Sequence, residues 1–174
     1  KKLKYNKRIL KINLIIYLLL YTMLIFSLTL FDEIYGRQGL IIIRWNKSLF
    51  NYYSNHYFNM IPFKTINLFI KGYAKNIVTL RSLFINVIGN FLIFMPYSIF
   101  LPLIFKNKKY FNYLIIMLIY IITIEFLQFI TMSGSCDIDD LILNISGFSV
   151  IFLILKNNIV YKYINKIFLL EDDA

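Results

Sequence analysis

The sequence predicts an all-α integral membrane protein with four transmembrane helices and a long interfacial outer loop between the first and the second. Three observations predict this class. The 174-residue chain is 59 % hydrophobic, its mean hydropathy is +0.66, and its apolar runs approach the roughly 20 residues that cross a bilayer as a helix. We therefore expect one membrane domain over residues 1–174 and exclude a soluble globular protein.

The first predicted span, TM1, covers residues 12–31 and follows the basic segment KKLKYNKRILK. A basic start before an apolar core resembles a secretory signal. However, the core is longer than that of a signal peptide, and no cleavage site of small residues follows it. We therefore interpret this segment as a spanning helix.

The outer loop, residues 32–82, is rich in Tyr, Phe and Asn and contains the single Trp and the single His. Aromatic rings favour the headgroup layer, so we expect the loop to lie on the membrane. Within it, LIIIRW (residues 40–45) predicts a short strand, and residues 64–75 have the apolar spacing of a helix. A lone interfacial histidine is more often a surface residue than a ligand, and we interpret His56 in that way.

The remaining three spans are predicted at residues 83–105 (TM2), 110–131 (TM3) and 138–155 (TM4). A basic KNKK turn joins TM2 to TM3, and the glycine-bearing MSGSC turn joins TM3 to TM4. The tail after TM4 is amphipathic, so we expect it to lie along the inner interface.

The basic residues predict the orientation. With four spans, the N-terminal segment, the KNKK turn and the tail lie on one side and carry twelve of the 19 Lys and Arg, whereas the TM3–TM4 turn carries none. Short basic segments stay in the cytoplasm, so both termini should be inside. The net charge of +10 then indicates contact with anionic lipid of the inner leaflet, and a nucleic-acid partner is not expected.

The polar residues of the spans should gather near the outer face. At 1.5 Å per residue, they all fall within about 10 Å of that boundary. On each helix they are three or four residues apart and form a polar stripe, which avoids lipid by facing another stripe. We therefore expect a small polar chamber between TM2, TM3 and TM4. The stripes are Asn86 and Asn90 on TM2, Glu125 and Gln128 on TM3, and Asp140 and Asn144 on TM4.

Two further aspartates begin TM4. Asp137 is the better N-cap, whereas Asp139 should point away from the chamber and complement the dipole at the helix start. Asn and Gln between helices can serve only as hydrogen-bonding glue, and Gly89 and Gly147 as close-packing points. A buried charge is not needed for glue, so Glu125 and Asp140 favour a functional role.

Several motifs together resemble the VanZ-like family, whose namesake is associated with resistance to the glycopeptide teicoplanin. They are NMIPF (residues 59–63), NVIGNFLIFMP (86–96), ExxQ (125–128) and DIDDLILNISG (137–147), so that the match covers residues 59–155. The resemblance implies a small membrane protein of the bacterial plasma membrane. The polar pattern of the family falls on Asn86, Asn90, Glu125, Gln128, Asp137, Asp140 and Asn144.

The first functional hypothesis is binding or modification of a lipid-linked cell-wall precursor, with its headgroup at the outer face and its tail between helices. The ligand-binding residues would be Asn86, Asn90, Gln128 and Asn144, and Arg81 would contact a phosphate. Oxygen ligands suit a hard cation, so Mg²⁺ or Ca²⁺ is expected at Asp137, Asp140 and Glu125.

A second hypothesis is a membrane enzyme that acts hydrolytically on a phosphorylated lipid headgroup, with Glu125 as proton carrier and Asp140 orienting water or a metal. Ion conduction is disfavoured, because the inner halves of TM2 to TM4 offer little polarity beyond Ser98. A structural scaffold without a ligand is the remaining alternative. The single cysteine, Cys136, excludes an intramolecular disulfide and is interpreted as a small residue in a tight turn.

Overall fold

The four predicted spans are present as helices. We analysed a computed structural model, which describes residues 7–31, 46–105 and 109–157 together with residues 160 and 162. In this part of the chain, four helices are long and apolar enough to cross a membrane. The all-α membrane fold predicted from hydropathy is therefore confirmed. These helices are TM1 at Arg8–Leu30, TM2 at Leu80–Phe105, TM3 at Tyr110–Ile130 and TM4 at Ile138–Leu155.

Two of the spanning helices, TM1 and TM2, begin a few residues earlier than the sequence predicts. Helix α1 (Lys7–Leu30) forms TM1 and takes in basic residues that precede the apolar core. TM2 begins at Leu80 because the Thr79 hydroxyl accepts the N–H of Ser82 at 3.2 Å and caps the helix. The predicted strand at residues 40–45, most of the KNKK turn and most of the C-terminal tail lie outside the described residues.

TM2 is an interrupted helix. It consists of α4 (Leu80–Leu83), a π-helical segment (Phe84–Gly89), α5 (Asn90–Ile93) and α6 (Met95–Phe105). The break at Phe94 has a local cause, because Pro96 has no N–H to donate to the preceding turn. The Tyr97 N–H donates to the Phe94 carbonyl at 3.3 Å. The Ile93 carbonyl instead accepts the Tyr21 hydroxyl of TM1 at 2.6 Å, so the polar group released by the break is satisfied inside the bundle.

The segment between TM1 and TM2, which the sequence predicts to lie outside, is called the outer connection below. Its described part, residues 46–79, carries two helices and a short strand. Helix α2 (Lys47–Tyr57) runs into β1 (Phe58–Asn59), and α3 (Lys64–Ala74) follows. The helix predicted at residues 64–75 is thus confirmed. Exposed apolar side chains favour a position at the membrane interface. They include Met60, Ile61, Phe63, Leu68 and Ile70.

Strand β1 ties the outer connection to the TM3–TM4 turn. It pairs in parallel with β2 (Cys136–Asp137), with Phe58 opposite Cys136 and Asn59 opposite Asp137. Helix α7 (Tyr110–Ile130) is TM3 and α8 (Ile138–Leu155) is TM4. Because the pairing is parallel, Asn59 and Asp137 lie side by side at the ends of the two strands.

The core of the bundle lies between TM2, TM3 and TM4. Its buried side chains include Phe94, Met117, Ile121 and Phe148, and TM1 adds Ile25. TM1 is the most peripheral span. In its apolar stretch 11 % is buried inside the protein, whereas 33 to 39 % is buried in the other three spans. TM4 packs closely on TM2: a Cβ atom placed on Gly147 would lie 1.7 Å from the Phe91 carbonyl oxygen. Gly147 is therefore the close-packing point that the sequence suggested.

Candidate functional site

Asp137 holds the outer connection and the start of TM4 together. One carboxylate oxygen accepts the Asp139 N–H and the Asn59 side-chain amide, both at 2.9 Å. The other oxygen accepts the Thr65 hydroxyl at 2.5 Å. The prediction that Asp137 caps TM4 is confirmed, and its carboxylate also binds two residues of the outer connection.

Asp139 caps a different helix from the one expected. It is 1 % exposed, and its carboxylate accepts the backbone N–H groups of Phe63, of Thr65 at 2.7 Å and of Ile66 at 3.1 Å. These amides form the N-terminus of α3, so the carboxylate complements the dipole of α3. Asp139 lies in the first turn of TM4 as predicted, but its carboxylate makes its hydrogen bonds to α3. Phe63 has a left-handed backbone with φ of 63°, and the charged acceptor offsets the strain at that residue.

Asn90 and Asp140 join TM2 to TM4. The Asn90 side-chain amide donates to an Asp140 carboxylate oxygen. Asn144 follows one turn after Asp140 on the face that places Gly147 against TM2, and it is 4 % exposed. Its Oδ1 atom has no hydrogen-bond partner among the described residues. The polar residues predicted on this face of TM4 therefore do lie along TM2.

Glu125 of TM3 reaches the same end of the bundle. It is 7 % exposed, and the Asp137 N–H lies 3.4 Å from its Oε2 atom. The thiol of Cys136 has a raised pKa. Burial raises this pKa most, and the carboxylates of Glu125, Asp137 and Asp140 raise it further. The charges of these carboxylates thus act on one half-exposed thiol, and we call Asn90, Glu125, Cys136 and Asp140 the acidic rim.

Three predicted ligand residues lie outside this group. The Gln128 side-chain amide donates to the Thr29 carbonyl of TM1 at 2.8 Å, because Gln128 is about 60° around TM3 from Glu125 and meets a different neighbour. The Asn86 amide donates to the Ser82 carbonyl of its own helix at 2.8 Å. Arg81 is exposed at the start of TM2. The hydrogen bonds described here for Asn86 and Gln128 are thus made outside the rim, and the binding roles of these residues and of Arg81 stay predictions.

The Mg²⁺ or Ca²⁺ site expected at Asp137, Asp140 and Glu125 stays a prediction. Within the described ranges, no three His, Cys, Asp or Glu side chains are grouped so that they could hold a metal ion. Asp137, one of the three predicted ligands, already accepts bonds from Asn59, Thr65 and Asp139. Its oxygens are directed at protein donors, and no step of the proposed function is assigned to a metal.

Sequence reasoning missed a cluster of tyrosines in the middle of the bundle. The Tyr97 hydroxyl lies 3.0 Å from the Thr22 hydroxyl and 3.3 Å from that of Tyr120. The Tyr21 and Tyr97 ring centroids are 5.5 Å apart. The signal was Pro96, because the break in TM2 next to it turns the Tyr97 N–H to the Phe94 carbonyl and leaves the Ile93 carbonyl to a donor from another span.

The comparison with family models decides the relationship. The VanZ/LLP1 family model matches residues 18–161. The chain belongs to the VanZ/LLP1 family. The match begins within TM1 and ends beyond TM4, so it covers part of TM1 and all of the other three spans, whereas the motifs alone covered residues 59–155. Comparisons with curated proteins and with solved structures found no significant match.

Proposed function

We propose that the acidic rim binds the headgroup of a lipid-linked cell-envelope intermediate at the outer face of the bacterial plasma membrane. The observation that carries the proposal is that three spans meet at the TM3–TM4 turn: Asn90 of TM2 donates to Asp140 of TM4, and Glu125 of TM3 accepts the N–H of Asp137 next to Cys136. Membership of the VanZ/LLP1 family supports a contribution to glycopeptide resistance, with teicoplanin as the first drug to test.

The charge of the rim favours one chemistry of headgroup. In the rim, Asp140 accepts the Asn90 side-chain amide and Glu125 accepts the Asp137 N–H, so both carboxylates are placed as hydrogen-bond acceptors and do not suit a bare phosphate. Carboxylate and amide oxygens accept hydrogen bonds, so they suit the hydroxyl, amide and amino groups of a sugar or peptide. We place the phosphate of the same lipid outside the rim, toward the exposed cation of Arg81.

Binding can be measured with purified protein in lipid nanodiscs. The probe is a polyprenyl diphosphate that carries an amino sugar. Asp140→Asn and Glu125→Gln should each weaken binding about tenfold, the equivalent of about 1.4 kcal/mol, while thermal stability changes little. The matched control is Thr123→Val on the exposed face of TM3. Equal affinity in the wild type and both rim variants would overturn the assignment of the rim as the binding site.

The same variants connect the site to resistance. Cells that express the protein should tolerate more teicoplanin than cells without the gene, and Asp140→Asn should remove that difference while Thr123→Val retains it. If expression changes no glycopeptide susceptibility, the resistance part of the proposal is wrong, whereas the binding measurement is unaffected.

The orientation has its own test. The distribution of basic residues predicts that both termini lie in the cytoplasm and the TM3–TM4 turn outside. Cys136 is the single cysteine and is half-exposed. A membrane-impermeant maleimide should therefore modify it in intact cells. Labelling only after the cells are lysed would place the acidic rim in the cytosol and rule out an outer-face site.

Catalysis on the same headgroup is the second candidate. The observation in its favour is the burial of Glu125 beside other carboxylates, an arrangement that enzymes use for general acid and base chemistry. Mass spectrometry of the amino-sugar lipid after incubation with the protein separates the two candidates, since binding leaves its mass unchanged and hydrolysis releases a headgroup.

A further inference from the structure

A groove lies between TM1 and TM2 in the half of the bundle that carries the acidic rim. Its volume is about 280 Å³, close to the lower end of the range for ligand pockets. The walls are mostly aliphatic side chains, with Leu24 and Leu28 from TM1 and Ile85 and Leu92 from TM2. A space with such walls at this level of the membrane suits hydrocarbon.

Gly89 keeps the groove open. It lies in the wall, and a Cβ atom placed on it would meet no atom closer than the Phe84 carbonyl oxygen at 3.9 Å. Close packing therefore does not require glycine at this position, unlike Gly147, whose Cβ would lie 1.7 Å from the Phe91 carbonyl oxygen. Glycine in a helix interior costs up to about 1 kcal/mol relative to alanine. Its effect here is that no side chain fills the groove.

The groove and the acidic rim share one residue. Asn90 lines the groove and donates its side-chain amide to Asp140. The other end of the groove is formed by Tyr21 and Ile93, which are joined by the hydroxyl-to-carbonyl bond of 2.6 Å. On TM1 the lining runs from Thr29 to Tyr21, a rise of about 12 Å. The groove thus runs from the rim toward the middle of the membrane.

We propose that this groove holds the headgroup-proximal part of the prenyl chain of the lipid whose headgroup binds at the acidic rim. The inference rests on the proposed function. Asn90 gives the continuity between the two sites, and the groove has the depth and the apolar walls that a chain needs once the headgroup is seated. The ligand class is therefore a prenyl-linked headgroup, and a headgroup without its chain should bind more weakly.

The test compares two probes that share one headgroup. Each is an amino-sugar diphosphate, esterified with a long polyprenyl chain in one probe and with only a methyl group, as the short chain, in the other. Wild-type protein in nanodiscs should prefer the long chain by about tenfold. Gly89→Leu should remove that preference and leave short-chain affinity unchanged, whereas Ile88→Phe, which enlarges a neighbouring side chain outside the lining, should keep it.

A second variant fills the groove from the other wall, in case Gly89→Leu disturbs the π-helical segment. Leu28→Trp enlarges a residue of TM1 and should also remove the preference for the long chain. If the wild type binds both probes and neither variant changes the preference, the groove proposal is overturned and the rim proposal stands. If the wild type binds neither probe, both proposals fail.

Discussion

TM2 presents two different faces to its neighbours. Toward TM4 it packs backbone to backbone, with Gly147 against the Phe91 carbonyl and Asn90 bonded to Asp140. Toward TM1 it leaves a groove, and hydroxyl groups make the polar contacts there, among them the bond of Tyr21 to the carbonyl of Ile93. The comparison shows that two glycines of similar appearance in the sequence have different roles. Gly147 allows contact, whereas Gly89 leaves space.

The largest effect should come from filling the close contact. Gly147→Ala places a methyl group 1.7 Å from a backbone oxygen, which requires the two helices to move apart. We expect a loss of about 3 kcal/mol or more, at the upper end of overpacking effects. Gly89→Ala meets no close atom and should change stability by less than about 1 kcal/mol. Thermal unfolding in detergent compares them, and equal losses would remove the distinction between the two faces.

The second largest effect should come from the hydrogen bonds between TM4 and the start of α3. Asp139→Ala removes the charged acceptor of three backbone N–H groups, and we expect a loss of about 2 kcal/mol in all, within the range for hydrogen bonds to charged groups. We expect hydrogen exchange to quicken at Thr65 and Ile66 and proteolysis to increase near α3. Asp140→Ala is the matched control and should leave both unchanged. Identical exchange in the two variants would contradict the assignment.

A smaller effect should come from the TM1 side. Tyr21→Phe removes the hydroxyl that satisfies the Ile93 carbonyl, and an unsatisfied buried acceptor costs about 1–3 kcal/mol. We expect a modest decrease in thermal stability. Tyr17→Phe on the exposed face of the same helix should have no effect. A decrease of the same size in both variants would indicate that the TM1–TM2 bond contributes nothing specific.

The smallest expected effect is a change in thiol reactivity. Burial and three carboxylates raise the pKa of Cys136, so less thiolate is present at a given pH than in the unfolded chain. Below the usual pKa of cysteine the thiol is neutral in both the folded and the unfolded protein. Above it the unfolded chain loses the thiol proton first, so the free energy of unfolding decreases as the pH rises. Asp140→Asn should lower the thiol pKa and speed alkylation a few-fold near pH 8. A rate equal to that of the wild type would argue against a nearby Asp140 carboxylate.

Hydropathy and helix chemistry predicted much of the fold. Apolar runs located all four spans, and the position of Asp137 before TM4 identified the cap. Periodicity did not give the rotation of one helix relative to another. That rotation follows from packing between spans, and it directs Gln128 to TM1 and Asp139 to α3.

The missed contacts are nonlocal for the same reason. The pairing of β1 with β2 joins residues nearly eighty positions apart, and each strand is too short to show a strand pattern. The bond from Tyr21 to the Ile93 carbonyl depends on the break at Phe94 and on the position of TM1. In contrast, the pairing of Asn90 with Asp140 followed from matching polar stripes, because two such stripes near one end of a bundle avoid lipid by meeting.

The most direct test of the acidic rim as a headgroup site is the alkylation rate of Cys136 in nanodiscs with and without the long-chain amino-sugar lipid. The thiol lies among Glu125, Asp137 and Asp140, so a bound headgroup covers it. The rate should fall several-fold with this lipid and remain unchanged with phosphatidylglycerol. Equal rates with both lipids, at concentrations that saturate binding, would contradict the proposed site.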